Sequence, residues 1–486
     1  MKQCKPFAGL RPWAFCVPLV VATGVTAQPV PTWNPSHGVM GLWAPPSTQV
    51  SDPVGASGLA RAVGAAQATE ARNNPQVVAL SGTELDLLQA VRVAVGWQPA
   101  VAAAVAQLRQ QARVVEQMRA GYMPALSAGV NTGRQSATSR GTSFTLAASQ
   151  MLYDFGKVSS QVSEAEAGVR RAQAEVLRQI DTVATQTALA FVEFGRYQAL
   201  MAIADDQIAA LRDVARVTDL RARLGASTRV DPVQARARVE AAQVYAQQLQ
   251  TQSRQWRSRL KTLLGGDVPP RAATVPEERL GAALNVPGEG LLWPAVLVAE
   301  ADRQALQARL AGARAARLPT LTLEASLNRL GSGANNGRST DHSLFFKLNS
   351  STYQGGAMQA QEDAAQLGVV AAEARVGAAR TEIQDRMASL KEQIQGLMAL
   401  RGPLSERQQS ITETRSLYRE QYLALGTRSA LDLLNAEQEI AQAAFDVVQN
   451  RYDALAAQVN FIDASGQARA VYGLDRSQIH GLEITP

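Results

Sequence analysis

The sequence predicts an α+β membrane protein made of two copies of one elongated unit, each with long coiled-coil-like helices and two β-strands. Three observations predict it. Pro99-Ala100-Val101 recurs as Pro294-Ala295-Val296 and Pro124 as Pro319, both 195 residues on; Tyr153 and Gly156 recur as Tyr353 and Gly356 at 200; Leu224-Gly225 and Asp231 recur as Leu425-Gly426 and Asp432 at 201. An offset that drifts by only six residues marks a duplication. Each copy holds one very long helical stretch, and each holds two short runs whose apolar residues alternate with period two. Aromatic residues are 5% of the 486, which suits helices packed along thin seams better than a thick core.

The first 27 residues have the character of an export signal. Lys2, Lys5 and Arg11 make a basic start, the run from Trp13 is mostly apolar, and Val25-Thr26-Ala27 fits a small-residue cleavage site. Cys4 and Cys16 both lie inside it, so the exported chain is expected to hold neither a disulfide nor a reactive thiolate. Phe15 directly before Cys16 speaks against a lipoprotein cleavage site. Residues 28–75 are rich in Pro and Gly and are read as a leader. Repeat 1 follows over 76–264, a linker over 265–290, repeat 2 over 291–466 and a tail over 467–486.

Within repeat 1, 84–95 reads as a short amphipathic helix. Pro99 then opens a helix to about residue 121, because a proline at the first helical position loses no hydrogen bond. Pro294 does the same in repeat 2, for a helix ending near 316. Strands come next. Leu321, Leu323, Ala325 and Leu327 alternate with Thr320, Thr322, Glu324, Ser326 and Asn328; then Leu344, Phe346 and Leu348 alternate with Ser343, Lys347 and Asn349. The first copy has Leu126, Ala128 and Val130, then Phe144, Leu146 and Ala148. Glycine-rich stretches at 133–141 and 331–337 read as hairpin loops. Strands of this length, about ten residues, cross a bilayer when tilted by ~45°.

The long helices are expected over 157–223 and 357–424, each roughly 100 Å at 1.5 Å per residue, with a local kink at Gly402-Pro403. In the first, Val158, Val162, Ala165, Val169, Ala172, Val176, Ile180 and Val183 step by threes and fours, and Phe194, Tyr197, Met201, Ala204, Ile208 and Leu211 continue the seam. Turns at Gly225 and Gly426 lead into helices over 228–264 and 429–465. The helix from Pro99 and the one over 228–264 together come to about 90 Å, so the two are expected to stack end to end along the long one.

No run of 18 apolar residues follows the signal, so a bilayer crossing has to use strands. Four strands leave two open edges, and an unpaired backbone amide in hydrocarbon costs several kcal/mol. Closure needs further copies: two would give a narrow barrel filled by side chains, three a wider one that begins to leave a channel.

The Leu152-Tyr153-Asp154-Phe155-Gly156-Lys157 junction, the Leu425-Gly426-Thr427-Arg428-Ser429-Ala430-Leu431-Asp432-Leu433-Leu434 turn and the two-copy layout resemble the TolC family of outer-membrane efflux and secretion channels, over about 84–466. The resemblance implies a homotrimer whose four strands per chain build a 12-stranded barrel in outer-membrane lipid, above a tunnel through the periplasm. It also implies two partners, a periplasmic adaptor protein and an inner-membrane ABC exporter or proton-driven pump. By motif it places Asp231, Arg428 and Asp432 at a periplasmic gate. The same residues have a plainer reading, since Thr228-x-x-Asp231 and Ser429-x-x-Asp432 both match the helix-starting capping box. Asn435 stands where a second acidic residue is usual in the family, and Tyr422 is one residue out of register.

At the strand-to-helix junctions Tyr153, Phe155 and Tyr353, beside Gly156 and Gly356, fit either an interfacial aromatic belt or simple packing. His37, His342 and His480 are scattered, so neither a metal site nor a catalytic dyad is expected, and no cofactor is called for. The 48 basic and 42 acidic residues are mixed along the helices, which gives no nucleic-acid footprint. The expected function is non-enzymatic: a passive exit duct for type I protein export. Small-molecule efflux is the alternative, and an exported coiled-coil stalk a remote one.

Overall fold

The computed structural model describes residues 84–134, 140–273, 275–285, 293–332, 339–351, 353–425, 427–475, 478–479 and 481–483. The chain divides into two units, Met1–Asp52 and Pro53–Pro486, and every described residue belongs to the second. The signal segment 1–27, the leader 28–75 and Gly426 lie outside the described residues.

The elements run in order as β1 (Glu84–Leu85), α1 (Leu87–Trp97), α2 (Pro99–Arg119), β2 (Ala125–Arg134), β3 (Arg140–Tyr153), α3 (Lys157–Arg223), α4 (Val230–Leu264), β4 (Arg271–Ala272) and α5 (Glu277–Ala282). The second half continues with α6 (Pro294–Ala316), β5 (Thr320–Ser332), β6 (Ser339–Asn349), α7 (Ala357–Glu420), a π-helical turn Gln421–Leu425, α8 (Ala430–Ala464), α9 (Ala468–Val471), β7 (Gln478–Ile479) and β8 (Leu482–Glu483). Several expectations change in detail. Residues 84–85 are a strand pairing in parallel with β4, and the helix begins only at Leu87, where the Asp86 carboxylate accepts from the Gln89 N–H at 3.1 Å. α7 ends at Glu420 and passes into a π turn over Gln421–Leu425. The strands reach further into both hairpins than the glycine-rich stretches suggest, and the stretch read as a linker carries β4 and α5.

The two shorter helices do stack end to end. The Gln98 side-chain amide, just ahead of α2, donates to the Leu263 carbonyl at 3.0 Å, so it satisfies a carbonyl that the C-terminus of α4 leaves open. Trp97 lies against Gly265, whose φ is +67°; a Cβ there would stand 1.9 Å from the indole. Repeat 2 makes the same joint with other chemistry, as Trp293 Nε1 donates to the Ser465 carbonyl at 3.1 Å ahead of α6. Long α3 packs against α1, α2, α4, α6 and α8, whereas α7 packs chiefly against α6 and α8.

Burial along α3 is not one continuous seam. Ala165, Val176, Ile180, Val183, Phe194, Ala204, Ile208 and Leu211 of the heptad set are buried, but from Val183 to Gly195 nearly the whole circumference is. That girth is the main core, where Phe191 and Phe194 meet α1, the ends of α4 and α8, and Tyr472. Gly195 allows it, since a Cβ there would come within 3.2 Å of the Tyr452 ring. α7 by contrast buries only Ala372, Val376 and Ile394 in the single chain.

β2, β3, β5 and β6 form one antiparallel sheet in that order, with β2 and β6 at the edges. The register sorts the faces. Leu126, Ala148, Ala325 and Leu344 lie side by side across the four strands, and so do Ala128, Leu146, Leu327 and His342. The opposite face is hydroxyl- and amide-rich: Thr145 Oγ1 donates to Asn328 Oδ1 at 2.5 Å, and the Ser326 and Ser343 hydroxyls meet at 2.7 Å.

One ion pair inside the helical core is almost fully enclosed. Arg469 of α9 meets Asp181 of α3 at 3.0 Å, both side chains being 6% exposed or less. Burial raises the Asp181 carboxyl against the pull of Arg469, and the negative charges of Asp463 and Asp475 add to the rise, to about 7. Since this folded value lies above the ordinary 3.8, the associated stability is present below pH ~4 and is lost as pH rises through about 7. Asp181→Asn, which mimics the protonated acid, is expected to remove this dependence. Between pH 5 and 8 the wild type should lose on the order of 3 kcal/mol that the variant does not. Melting temperatures of both proteins at the two pH values check this, and parallel slopes would contradict it.

Candidate functional site at the helix tips

The turn between α3 and α4 is built by Gly225. Its φ of +73° ends α3 in a left-handed cap, with Ala226 N–H donating to the Arg221 carbonyl at 2.8 Å and Gly225 N–H to the Ala222 carbonyl at 3.1 Å. The capping box expected at Thr228 does not form. Helix α4 starts at Val230, so Asp231 falls in the first turn, where it faces the positive end of the helix dipole without bonding the cap. The repeat 2 box does form: Asp432 N–H donates to Ser429 Oγ at 3.1 Å and Ser429 N–H to Asp432 Oδ2 at 3.2 Å.

Arg428 is occupied within its own repeat. Its Nε donates to Gln421 Oε1 at 3.0 Å, its guanidinium lies 4.5 Å over the Tyr418 ring, and Asp432 stands 4.0 Å away. Among the described residues no hydrogen bond or ion pair joins Arg428 to Asp231.

Two residues that the motifs did not single out together join the repeats here. Arg221 of α3 donates to the Tyr422 carbonyl at 2.9 Å and lies 4.7 Å over its ring. Tyr422 sits in the π turn, which aims its ring at α3 and buries it to 3% exposure. Burial raises its hydroxyl; Arg221 opposes that rise and the negative charge of Asp231 adds to it. Nearby, Asp213 receives Arg419 of α7 at 2.6 Å as well as its neighbour Arg216; Arg216 first and then Arg419 hold its carboxyl below the usual range. Arg238 reaches Gln438 at 2.5 Å. Arg221 and Tyr422 stand 201 residues apart, the offset of the repeat at these turns, so their contact joins equivalent positions of the two copies, whereas Arg238 and Gln438 are one residue off that offset.

At the other end of α3, Asp154 accepts from Gly156 N–H at 3.0 Å and from Val158 N–H at 2.6 Å, which caps the helix. Phe155 is held at φ +58°, a left-handed conformation costly for a bulky residue, and its ring meets Tyr153 edge-on with centroids 4.6 Å apart. In repeat 2 the equivalent position is Gly355, also at φ +58°, followed by Gly356 at +84°. Tyr153, Phe155 and especially Tyr353 are exposed in the single chain. Among the described residues no cluster of His, Cys, Asp or Glu is arranged for a metal, and no helix is long and apolar enough to cross a membrane.

A family model described as outer membrane efflux protein matches residues 90–266 and 293–467, once for each copy of the duplication. The fold is similar to that of solved channels. A membrane protein from Pseudomonas aeruginosa superposes with a TM-score of 0.69 at 19% identity, over 78% of this chain and 90% of that one. The outer membrane protein VceC from Vibrio cholerae gives 0.67 at 19%, over 78% and 96%. The CmeC outer membrane channel of Campylobacter jejuni gives 0.67 at 16%, over 79% and 86%. No curated protein sequence matches the chain.

Arg221→Ala is expected to free the π turn, because it removes both a hydrogen bond and a ring contact between the repeats. Amide exchange at Tyr422, Leu423 and Ala424 should rise about tenfold, the equivalent of ~1.4 kcal/mol. Arg428→Ala, whose contacts are all local, should leave those amides within about twofold. Exchange followed by mass spectrometry checks the contrast.

Proposed function

From the premise that the chain belongs to the outer membrane efflux protein family, whose members are non-enzymatic, trimeric outer-membrane channels with a periplasmic tunnel, we propose that three copies of this chain close one 12-stranded barrel and serve as a passive exit duct. The observation that carries this reading is the sheet: four strands, one apolar face, one hydroxyl-lined face and two open edges, all mounted on helices roughly 100 Å long. Transport energy enters from an inner-membrane transporter, reached through a periplasmic adaptor as is general in the family. The cargo we assign is a small molecule, in keeping with the family's description as efflux proteins. Type I protein export is the second reading, favoured by the tip turn from Leu425 to Leu434 that resembles secretion channels.

The helix tips serve as the entrance in this reading. Asp231, Arg428 and Asp432 lie at the rim, and Arg221 on Tyr422 ties α3 to the π turn that follows α7. Opening requires the π turn to part from α3. In planar bilayers Arg221→Ala, alone or with Asp231→Ala, is therefore expected to raise single-channel conductance, and unchanged conductance would remove the gating role and leave a structural one.

The membrane assignment rests on the strand faces. Ala325→Arg places a charge on the apolar face near mid-strand, which should cost about 2 to 4 kcal/mol and deplete assembled trimer from the outer membrane. Ser326→Arg, on the hydroxyl face, should assemble normally. Trimer yield on unheated gels separates the two, and equal tolerance would rule out a barrel.

A further inference from the structure

We propose that Glu324 and Lys347 set the ion selectivity of the barrel by balancing one another's charge where it meets the helical tunnel; the inference rests on the duct reading above. The hydroxyl face of the sheet is almost uncharged through its middle, where the Thr145–Asn328 and Ser326–Ser343 bonds close neutral groups on one another. At its helix-proximal end the character changes. Lys347 Nζ of β6 lies 3.2 Å from Glu324 Oε1 of β5, one row apart on that face, and both side chains are about half exposed. The Thr320–Asn349 pairing ends the ladder one further row toward the helices, so in a closed trimer the pair recurs three times around the lower lumen.

Phe345 strengthens the assignment. It is directly opposite Glu324 and projects from the wet face, 62% exposed, where every other large apolar residue of β6 lies on the oily face. No lipid-facing or packing role accounts for an aromatic ring there. On the inner wall it narrows the lumen at the level of the ion pair, which brings passing ions close to both charges. Intact, the two charges nearly cancel. Removing either leaves three like charges in a ring, and one uncompensated charge ~5 Å from an ion in water changes its local concentration about fourfold. Asp341, opposite Asn328 near the far end of the same face, is untouched by either change and serves as a constant background.

The test uses the full-length protein in planar bilayers under a potassium chloride gradient, with reversal potentials giving the potassium-to-chloride permeability ratio. Glu324→Gln is expected to lower the ratio about fourfold and Lys347→Gln to raise it by a similar factor. The charge-swapped double variant, Glu324→Lys with Lys347→Glu, should return it to within about twofold of wild type, as a purely structural pair would not predict for the single variants. Serine substitutions, which match the hydroxyls already on this face, carry the same test if a glutamine variant fails to assemble. Conducting channels whose ratio is unmoved by either single substitution would overturn the selectivity role and leave the duct standing. A wild-type protein that gives no conductance steps would overturn the duct, and the inference with it.

Discussion

A backbone N–H or C=O at a sheet edge finds no substitute for water in hydrocarbon, and β2 and β6 each present a row of them. The rest of the molecule is arranged around that constraint. A single chain cannot close its sheet, so the apolar row through Leu126, Ala148, Ala325 and Leu344 becomes a lipid surface only once further copies pair edge to edge. The long helices then have to gather around the same axis as the strands. That explains why α7, poorly covered in one chain, carries exposed Leu367, Val370 and Leu400 along its length.

Strand and helix meet at a sharp bend, and the two copies make it differently. Repeat 2 has glycines at both left-handed positions, whereas repeat 1 holds Phe155 in one of them. The strain of such a residue is roughly 1 to 2 kcal/mol. Asp154, with two backbone N–H bonds, and the edge-on Tyr153 ring offset it. Duplication conserved the bend itself and left each copy free to stabilise it with different side chains.

At the opposite end the duplication acts more directly. The second copy follows the first in the sheet order β2-β3-β5-β6, so the two lie side by side and run the same way. Across their boundary Arg221 meets Tyr422 and Arg238 meets Gln438. That boundary is where a small contact, one guanidinium on one ring, joins the two halves. Deeper in the molecule Asp181 of α3 and Arg469 of α9 also join distant parts of the chain from an enclosed position, where burial works against the ionised carboxyl.

The repeat, the order of helix and strand in each copy, the extent of α3 and the two faces of each strand are all legible in the residues alone. These follow from local periodicity and from Pro and Gly at helix ends, which act over a few residues. The end-to-end stacking of α2 on α4 was legible too, because helix length is proportional to residue count. Tertiary structure decided what depends on partners distant in the chain. The strand pairing of residues 84–85 requires β4, which lies 187 residues on. The helix start at Val230 displaced the Thr228 capping box. The π turn that ends α7 presents Tyr422 to Arg221 of α3, a partner 201 residues back in the chain. At the tips, Asp231, Arg428 and Asp432 were readable as a motif, whereas the Arg221–Tyr422 contact was not, since it exists only where the two copies fold against each other.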